Sequence, residues 1–286
     1  MRFKSKIFNV GFLIAFIIFL SAAVYAVEYS PKYFGPNANP VPEFANARIP
    51  DKTEIEFSYD YYFGFGDDTN SLSMSVEIPL LVEKVSFKIW INFFETYQVS
   101  AKVYDERNME GGQLKGNAGG DFYVQTRILI FSEGAYNPAV ILNSALKTAS
   151  GTEFPQRRYF DTPGYYFDAE FGKSFFMNSE IINEIRNVLD LGFFCWETTN
   201  SVQDDAFMYG YRIILSNKFI DIENTLSGYY GWMQNGDTPL LCGLKISTRS
   251  KTKFFIQYKK GINDFPYNNV SLGIVFAIDM LTPRYK

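Results

Sequence analysis

The chain has 286 residues, of which 47% are hydrophobic and 18% aromatic, and its formal net charge is -4. This length suits one large all-β domain or two small ones, and the charge balance argues against a nucleic-acid partner. Histidine is absent, which excludes hydroxyl nucleophiles activated by a histidine base and histidine-based zinc or haem sites.

The N-terminal residues have the pattern of an export signal. Three basic residues precede the apolar run GFLIAFIIFL, and small residues suited to a cleavage site end at Ala26. The run is shorter than the roughly 20 residues of a spanning helix, so a membrane anchor is the weaker alternative. We predict a signal peptide over residues 1–26 and a proline-rich periplasmic segment over residues 27–52.

From residue 53 onward, apolar and polar residues alternate with the period of a β-strand. The first run, TEIEFSYDYYFGFG, places Ile55 and Phe57 on one face and Glu54 and Glu56 on the other. Most runs have about ten residues or more, as strands that cross a membrane do, whereas strands of soluble sandwiches cluster near 5–6. Twelve runs are predicted, over residues 53–66, 70–79, 84–98, 120–132, 138–149, 163–176, 184–198, 206–217, 219–233, 238–249, 252–262 and 268–280.

These runs predict a membrane barrel, because an open sheet edge is not tolerated in lipid. Short turns alternate with longer loops, such as 150–162 and 199–205, as at the periplasmic and extracellular rims of outer-membrane barrels. We predict an all-β fold, a closed antiparallel transmembrane β-barrel of about 12 strands over residues 53–286, in the bacterial outer membrane. A secreted soluble β-sandwich is the competing architecture.

Two partners are expected from this prediction. Outer-membrane lipids would contact the apolar face of the barrel. The last run, Ser271–Ile278, resembles the C-terminal signal that the barrel-assembly machinery reads, although further residues follow it and the chain ends in Lys286.

The polar face of the runs carries charges of both signs and is too charged for a second dry core. It predicts a channel or transporter for small solutes, with charges that set selectivity or pair and lock the lumen shut. A surface-exposed binding or structural barrel without transport is the alternative. The candidate lumen-lining residues are Asp60, Glu77, Lys88, Arg127, Lys147, Asp168, Glu170, Arg212, Glu223 and Lys245.

Catalysis and metal binding have weaker support in the sequence. Carboxylates two residues apart, such as Asp168 and Glu170, can serve as acid and base, but period-two spacing along a lumen wall produces such pairs automatically. We therefore predict no enzyme and no catalytic residue. Asp204 and Asp205 supply too few oxygens for Ca²⁺, so neither metal nor cofactor is predicted.

Cysteines and aromatic residues leave two further alternatives. Cys195 and Cys242 can pair in an oxidising compartment, but both fall on the apolar phase of their runs, which favours two separate thiols. Aromatic residues at run ends, including Trp196 and Trp232, suit the interfacial girdle of a barrel. A platform that binds sugars is the more specific alternative function for these rings.

Several stretches carry a family resemblance: FGPNANPVPEF, LKTASG, RRYFDTPGYYFD, LGFFCWETT and LSGYYGWM. Over nearly all of the mature sequence, the chain resembles a family of small, uncharacterised outer-membrane β-barrels from Bacteroidota-type bacteria. The resemblance implies a location and a fold, and it assigns no functional residue. LKTASG is also similar to the LKxPTG word of barrels thought to pass hydrophobic aromatic compounds, with Ala149 and Ser150 in place of Pro and Thr.

Overall fold

A computed structural model describes residues 31–81, 83–179, 181–198, 202–231 and 237–279. The predicted signal peptide, Trp232 and the side chain of Asp204 lie outside this part. Its helices are a 3-10 turn, Pro31–Tyr33, and a six-residue helix α1, Ala101–Glu106. No helix in the described ranges has the length and apolar character needed to cross a bilayer.

Antiparallel strands make up most of the described chain, and they join in one sheet. The last strand pairs with the first along its whole length, from Thr53 opposite Ile278 to Phe63 opposite Asn268, which closes the sheet. The strands are β1 (Thr53–Phe63), β2 (Asp67–Leu81), β3 (Val85–Val99), β4 (Lys115–Ala118), β5 (Phe122–Phe131), β6 (Ala139–Lys147), β7 (Gly164–Phe176), β8 (Glu184–Thr198), β9 (Val202–Ser216), β10 (Ile220–Gly231), β11 (Leu240–Thr248), β12 (Thr252–Asn263) and β13 (Asn268–Ile278).

The short strand β4 is an addition to the rim. It pairs with β3 only at Glu95–Gln98, while β5 pairs with β3 over Val85–Ile91. Twelve strands therefore form the wall, and the predicted closed antiparallel barrel of about 12 strands is confirmed. The sequence pattern assigned β4 to the long stretch after the third run, because four residues are too few to show alternation.

The alternation of the sequence separates the two faces of this wall. Phe57 on β1 lies opposite Ile274 on β13, and both belong to the apolar phase. Outward-facing Ile256 and Leu272 are 51% and 50% exposed, as expected for side chains whose natural solvent is lipid. Cys195 and Cys242 stand on β8 and β11, which are not neighbours, and they form no disulfide with each other.

The two ends of the barrel differ. The turn end holds the start of β1, the end of β13 and short connections such as 217–219 and 249–251; the loop end holds residues 100–121 and 148–163. Gly66, with φ of 90°, lies in the β1–β2 turn at the loop end, and its carbonyl accepts from the Ser100 amide at 2.7 Å. A Cβ at Gly66 would lie 2.7 Å from Ser100 Oγ, which itself accepts from the Val103 amide at the start of α1. Glycine is therefore required where the turn supports α1.

Residues 34–48, here called the strap, run through the inside of the barrel. Near the loop end the Phe34 carbonyl accepts from the Tyr267 hydroxyl at 2.7 Å, and near the turn end Arg48 donates to Glu184. The sequence analysis predicted a periplasmic segment before the barrel, whereas the strap lies inside the barrel. A proline-rich segment without periodicity does not show which surface it packs against. The buried apolar residues of the strap are Phe34, Ala38, Val41, Phe44 and Ala47.

Candidate functional site

The strap is hydrogen-bonded to one side of the lumen wall. Glu170 on β7 accepts from the amides of Ala45 at 3.0 Å and Ala47 at 2.7 Å. Arg186 on β8 donates to the carbonyls of Asn46 at 2.6 Å and Ala47 at 3.0 Å. Backbone groups buried without partners cost free energy, so these side chains replace the partners that a neighbouring strand would provide.

An aromatic ring of the strap, Phe44, is also anchored on the lumen wall. The Phe44 side chain packs against Val188 and lies over Gly210 on β9, where an added Cβ would overlap the ring. Arg212 places its guanidinium 4.8 Å from the centre of the ring and pairs with Glu223 at 3.1 Å. The absence of a side chain at Gly210 therefore creates the space that Phe44 occupies.

Behind the strap, four of the candidate lumen residues form one buried network. Arg127 pairs with Glu77 at 2.7 Å and with Glu170 at 3.3 Å. Asn143 donates to Glu170 at 2.9 Å and also to Asp168. Both Glu170 oxygens hold strap amides, so the Asp168–Glu170 pair serves packing here. Paired and buried charges of this kind position the strap and are closed to a passing solute.

A cavity of about 220 Å³ lies inside the barrel, between the strap and the wall formed mainly by β1–β3, β5 and β11–β13. Three of the candidate residues, Asp60, Lys88 and Lys245, line it. Asp60 accepts from Ser58 at 3.1 Å and from Ser271. Lys88 lies 5.5 Å from the Trp90 ring, Lys245 lies 4.1 Å from the Phe255 ring, and neither forms an ion pair with another described residue.

Lys147 lies apart from the lining of this cavity. Its ammonium pairs with Asp121 at 2.8 Å and donates to the Thr162 carbonyl at 2.9 Å, and both charged side chains are buried. Burial raises the pKa of Asp121 above its usual value despite the neighbouring Lys147. This pair fastens residues 148–163 to the start of β5, so Lys147 holds a loop and does not border the cavity.

A second buried network, here called the cap, closes the loop end and was not predicted. Arg107, after α1, and Arg158, in the 148–163 loop, donate to the same Asp67 oxygen at 2.5 Å and 2.7 Å. Arg158 also pairs with Glu95 at 2.6 Å. All four side chains are fully buried, and two cations balance two carboxylates. The only sequence signal for the cap was the RRYFDTPG stretch, which was noted for its family resemblance and not as a site.

The turn end carries a third charged group, around Glu133 in the β5–β6 connection. Its carboxylate accepts from the Ser174 amide at 2.7 Å and from Arg186 at 2.6 Å. Partial burial alone would raise the pKa of Glu133, but these bonds and the Arg186 charge hold it below its usual value. Glu133 therefore links the strap-binding Arg186 to the turn end.

Together, the closed sheet, apolar outer face and polar lumen define a transmembrane β-barrel of the outer-membrane class. No family model matches the sequence, and no curated protein does. The COG4313 outer membrane channel from Pseudomonas putida F1 is similar in structure, with a TM-score of 0.58 at 10% identity over 84% of this chain and 100% of that one. KdgM porin has a TM-score of 0.47 at 9% identity over 78% and 99% of the two chains. The first likeness supports the fold of outer-membrane barrels.

Proposed function

We propose that the chain is a bacterial outer-membrane channel that passes small polar solutes along the part of the lumen left open by the strap. The loop end would face the cell exterior and the turn end the periplasm, as the loop lengths of such barrels suggest. Outer-membrane lipids would contact the apolar outer face, and the barrel-assembly machinery would insert the chain. The proposal gives the chain no catalytic role.

One observation carries this proposal. Lys88, Lys245 and Glu56 face the cavity without an ion-pair partner among the described residues. Charges shielded from water and left unpaired are costly, so the arrangement favours a cavity that water enters. A wall of twelve strands with a strap inside leaves limited free interior, which restricts passage to small molecules.

Planar bilayer recordings test the proposal. The purified protein, with folding verified by a gel shift between unboiled and boiled samples, should give small, discrete conductance steps. Lys88→Met should shift ion selectivity toward cations, because it removes a positive charge from the cavity. Lys260→Met is the matched control, since Lys260 lines a groove with Leu244 and Tyr258 on the outer face. Folded protein without conductance steps would contradict the channel.

A closed structural or binding barrel is the second candidate, and the cap is the observation that favours it. Two loops meet on Asp67 through buried arginines, which is a costly arrangement to break during transport. This candidate predicts a silent wild type in bilayers. It also predicts that conductance appears when Arg158 is replaced by Met, because the cap then loses its bridge to Glu95.

A further inference from the structure

We infer that the lumenal cavity binds the ring of a neutral sugar. This inference rests on the proposed function, because it names the solute class for the same lumen. Three features support it: an aromatic platform, the presence of both hydrogen-bond donors and acceptors, and one buried donor that has no hydrogen-bond partner in the described structure.

The aromatic platform lies on the β3–β5 side of the cavity. Trp90 and Tyr123 are directly opposite each other across the two strands. Their rings stack with centroids 4.7 Å apart and planes 12° from parallel, and both line the cavity. A pair of flat, fixed rings offers apolar contact area with little loss of side-chain freedom, which suits the C–H face of a sugar ring.

Opposite charges balance around the cavity. Lys259 is neutralised by Glu43 of the strap, and Asp121, which also lines the cavity, is neutralised by Lys147. The remaining cations, Lys88 and Lys245, are matched in number by the carboxylates of Glu56 and Asp60. A cavity with both signs and no excess has no electrostatic reason to prefer an anion or a cation.

The same groups require a ligand that donates and accepts hydrogen bonds. Ammonium groups donate only, carboxylates accept only, and the amides of Gln125 and Gln257 do both. A ligand carboxylate would face Glu56 and Asp60, whereas a ligand ammonium would face the lysines. A hydroxyl group serves either side, because it is at once donor and acceptor.

Asn269 is the donor without a partner. It is 1% exposed and lines the cavity, and its Oδ1, 2.8 Å from Ser271 Oγ, shares the single proton of that hydroxyl with Asp60. Its Nδ2 is buried and makes no hydrogen bond within the described structure. A buried donor left unsatisfied is destabilising, so this amide would gain a hydrogen bond if an acceptor in the cavity reached it.

The volume of the cavity limits the size of the sugar that can bind. Pockets for drug-sized ligands occupy roughly 300–1,000 Å³, whereas this one has about 220 Å³. The space therefore suits one ring at a time, and a longer chain would have to pass unit by unit.

Titration calorimetry on the folded, detergent-solubilised protein tests the inference with glucose, alanine and benzoate as probes. Glucose should bind, and the other two should not. Trp90→Ala and Asn269→Ala should each weaken glucose binding about tenfold, the effect of one ring contact or one hydrogen bond. Trp90→Phe, which keeps a ring against Tyr123, should retain most of the affinity and remains informative if Trp90→Ala does not fold.

Matched controls separate the cavity from the rest of the barrel. Asn268→Ala alters the adjacent position, where the side chain instead meets the outward Tyr258 hydroxyl, and should leave glucose binding unchanged. Tyr136→Ala removes a ring that is 99% exposed and should also have no effect. Binding of alanine or benzoate in preference to glucose would overturn the inference, as would equal glucose binding by all variants.

The experiments can refute the channel proposal and the sugar-site inference independently. Conductance without glucose binding would refute the sugar and leave the channel intact. Glucose binding without conductance would refute the channel and retain the site in a binding barrel.

Discussion

Replacing Phe44 with Ala should release the strap from the lumen wall part of the time. Phe44 is 4% exposed and fills the space over Gly210. Removing the ring leaves a cavity that the rigid strands around Val188 and Gly210 cannot close. The contact with the Arg212 guanidinium is lost as well.

The size of the effect follows from the burial of the ring. Substitution of a buried Phe by Ala costs about 3–5 kcal/mol, and an arginine over a ring contributes roughly 0.5–2 kcal/mol. Taking about 3 kcal/mol as the share that acts on strap docking, the undocked population rises more than a hundredfold. The strap still donates hydrogen bonds to Glu170 and accepts them from Arg186, so it should dock and undock rather than leave permanently.

Single-channel recording measures this directly. Phe44→Ala should show brief openings of larger conductance, at a frequency about a hundred times that of the wild type. Phe131→Ala, which removes a 62% exposed ring at the end of β5, is the control and should behave as the wild type. If folded Phe44→Ala has wild-type conductance and opening frequency, the strap does not restrict the pore.

Three further predictions concern stability. Arg158→Met should cost about 3–5 kcal/mol, since it leaves Asp67 and Glu95 under-compensated in the cap; a lowered urea midpoint, with protease cleavage within 148–163, would verify this, and an unchanged midpoint would contradict it. Ile256→Arg should destabilise the barrel by about 2–4 kcal/mol in lipid, whereas Gln257→Arg, one residue on but inside the lumen, should not; equal loss of stability in refolding measurements would contradict the assigned faces. Because the pKa of Glu133 is lowered in the folded state, its stabilising contribution is fully present above the unfolded-state pKa and is lost as pH falls through the lower folded-state pKa. Glu133→Gln should therefore flatten the acid limb of the thermal-unfolding profile, and an unaltered limb would refute its role.

Alternation in the sequence was sufficient to predict the wall. In β1 the apolar residues from Ile55 to Tyr59 face outward and Asp60 faces the cavity, because a strand's period of two is a local property that each run carries by itself. Twelve such runs of membrane-crossing length left few alternatives to a closed sheet.

The ion-pair partners of charged residues inside the lumen could not be predicted in the same way. Lys88 and Lys147 look alike in sequence, since both are cations on the polar phase. The partner of each depends on which groups the loops and the strap bring near it: Lys147 meets Asp121, whereas Lys88 faces the cavity. The cap escaped prediction for the same reason, because Arg107 and Arg158 lie in non-repeating segments whose packing is tertiary.

The strap has a consequence for the order of assembly. It leads through the last residues before Thr53 into β1, one of the two strands that form the closing seam with β13. If the seam formed first, the strap, with its Phe44 ring, would have to thread through a finished pore past the side chains of β7 and β8. A wall that wraps around a strap already in place avoids this step. Closure of the β1–β13 seam is therefore expected as the final event of folding, with the strap acting as the internal template on which the wall is built.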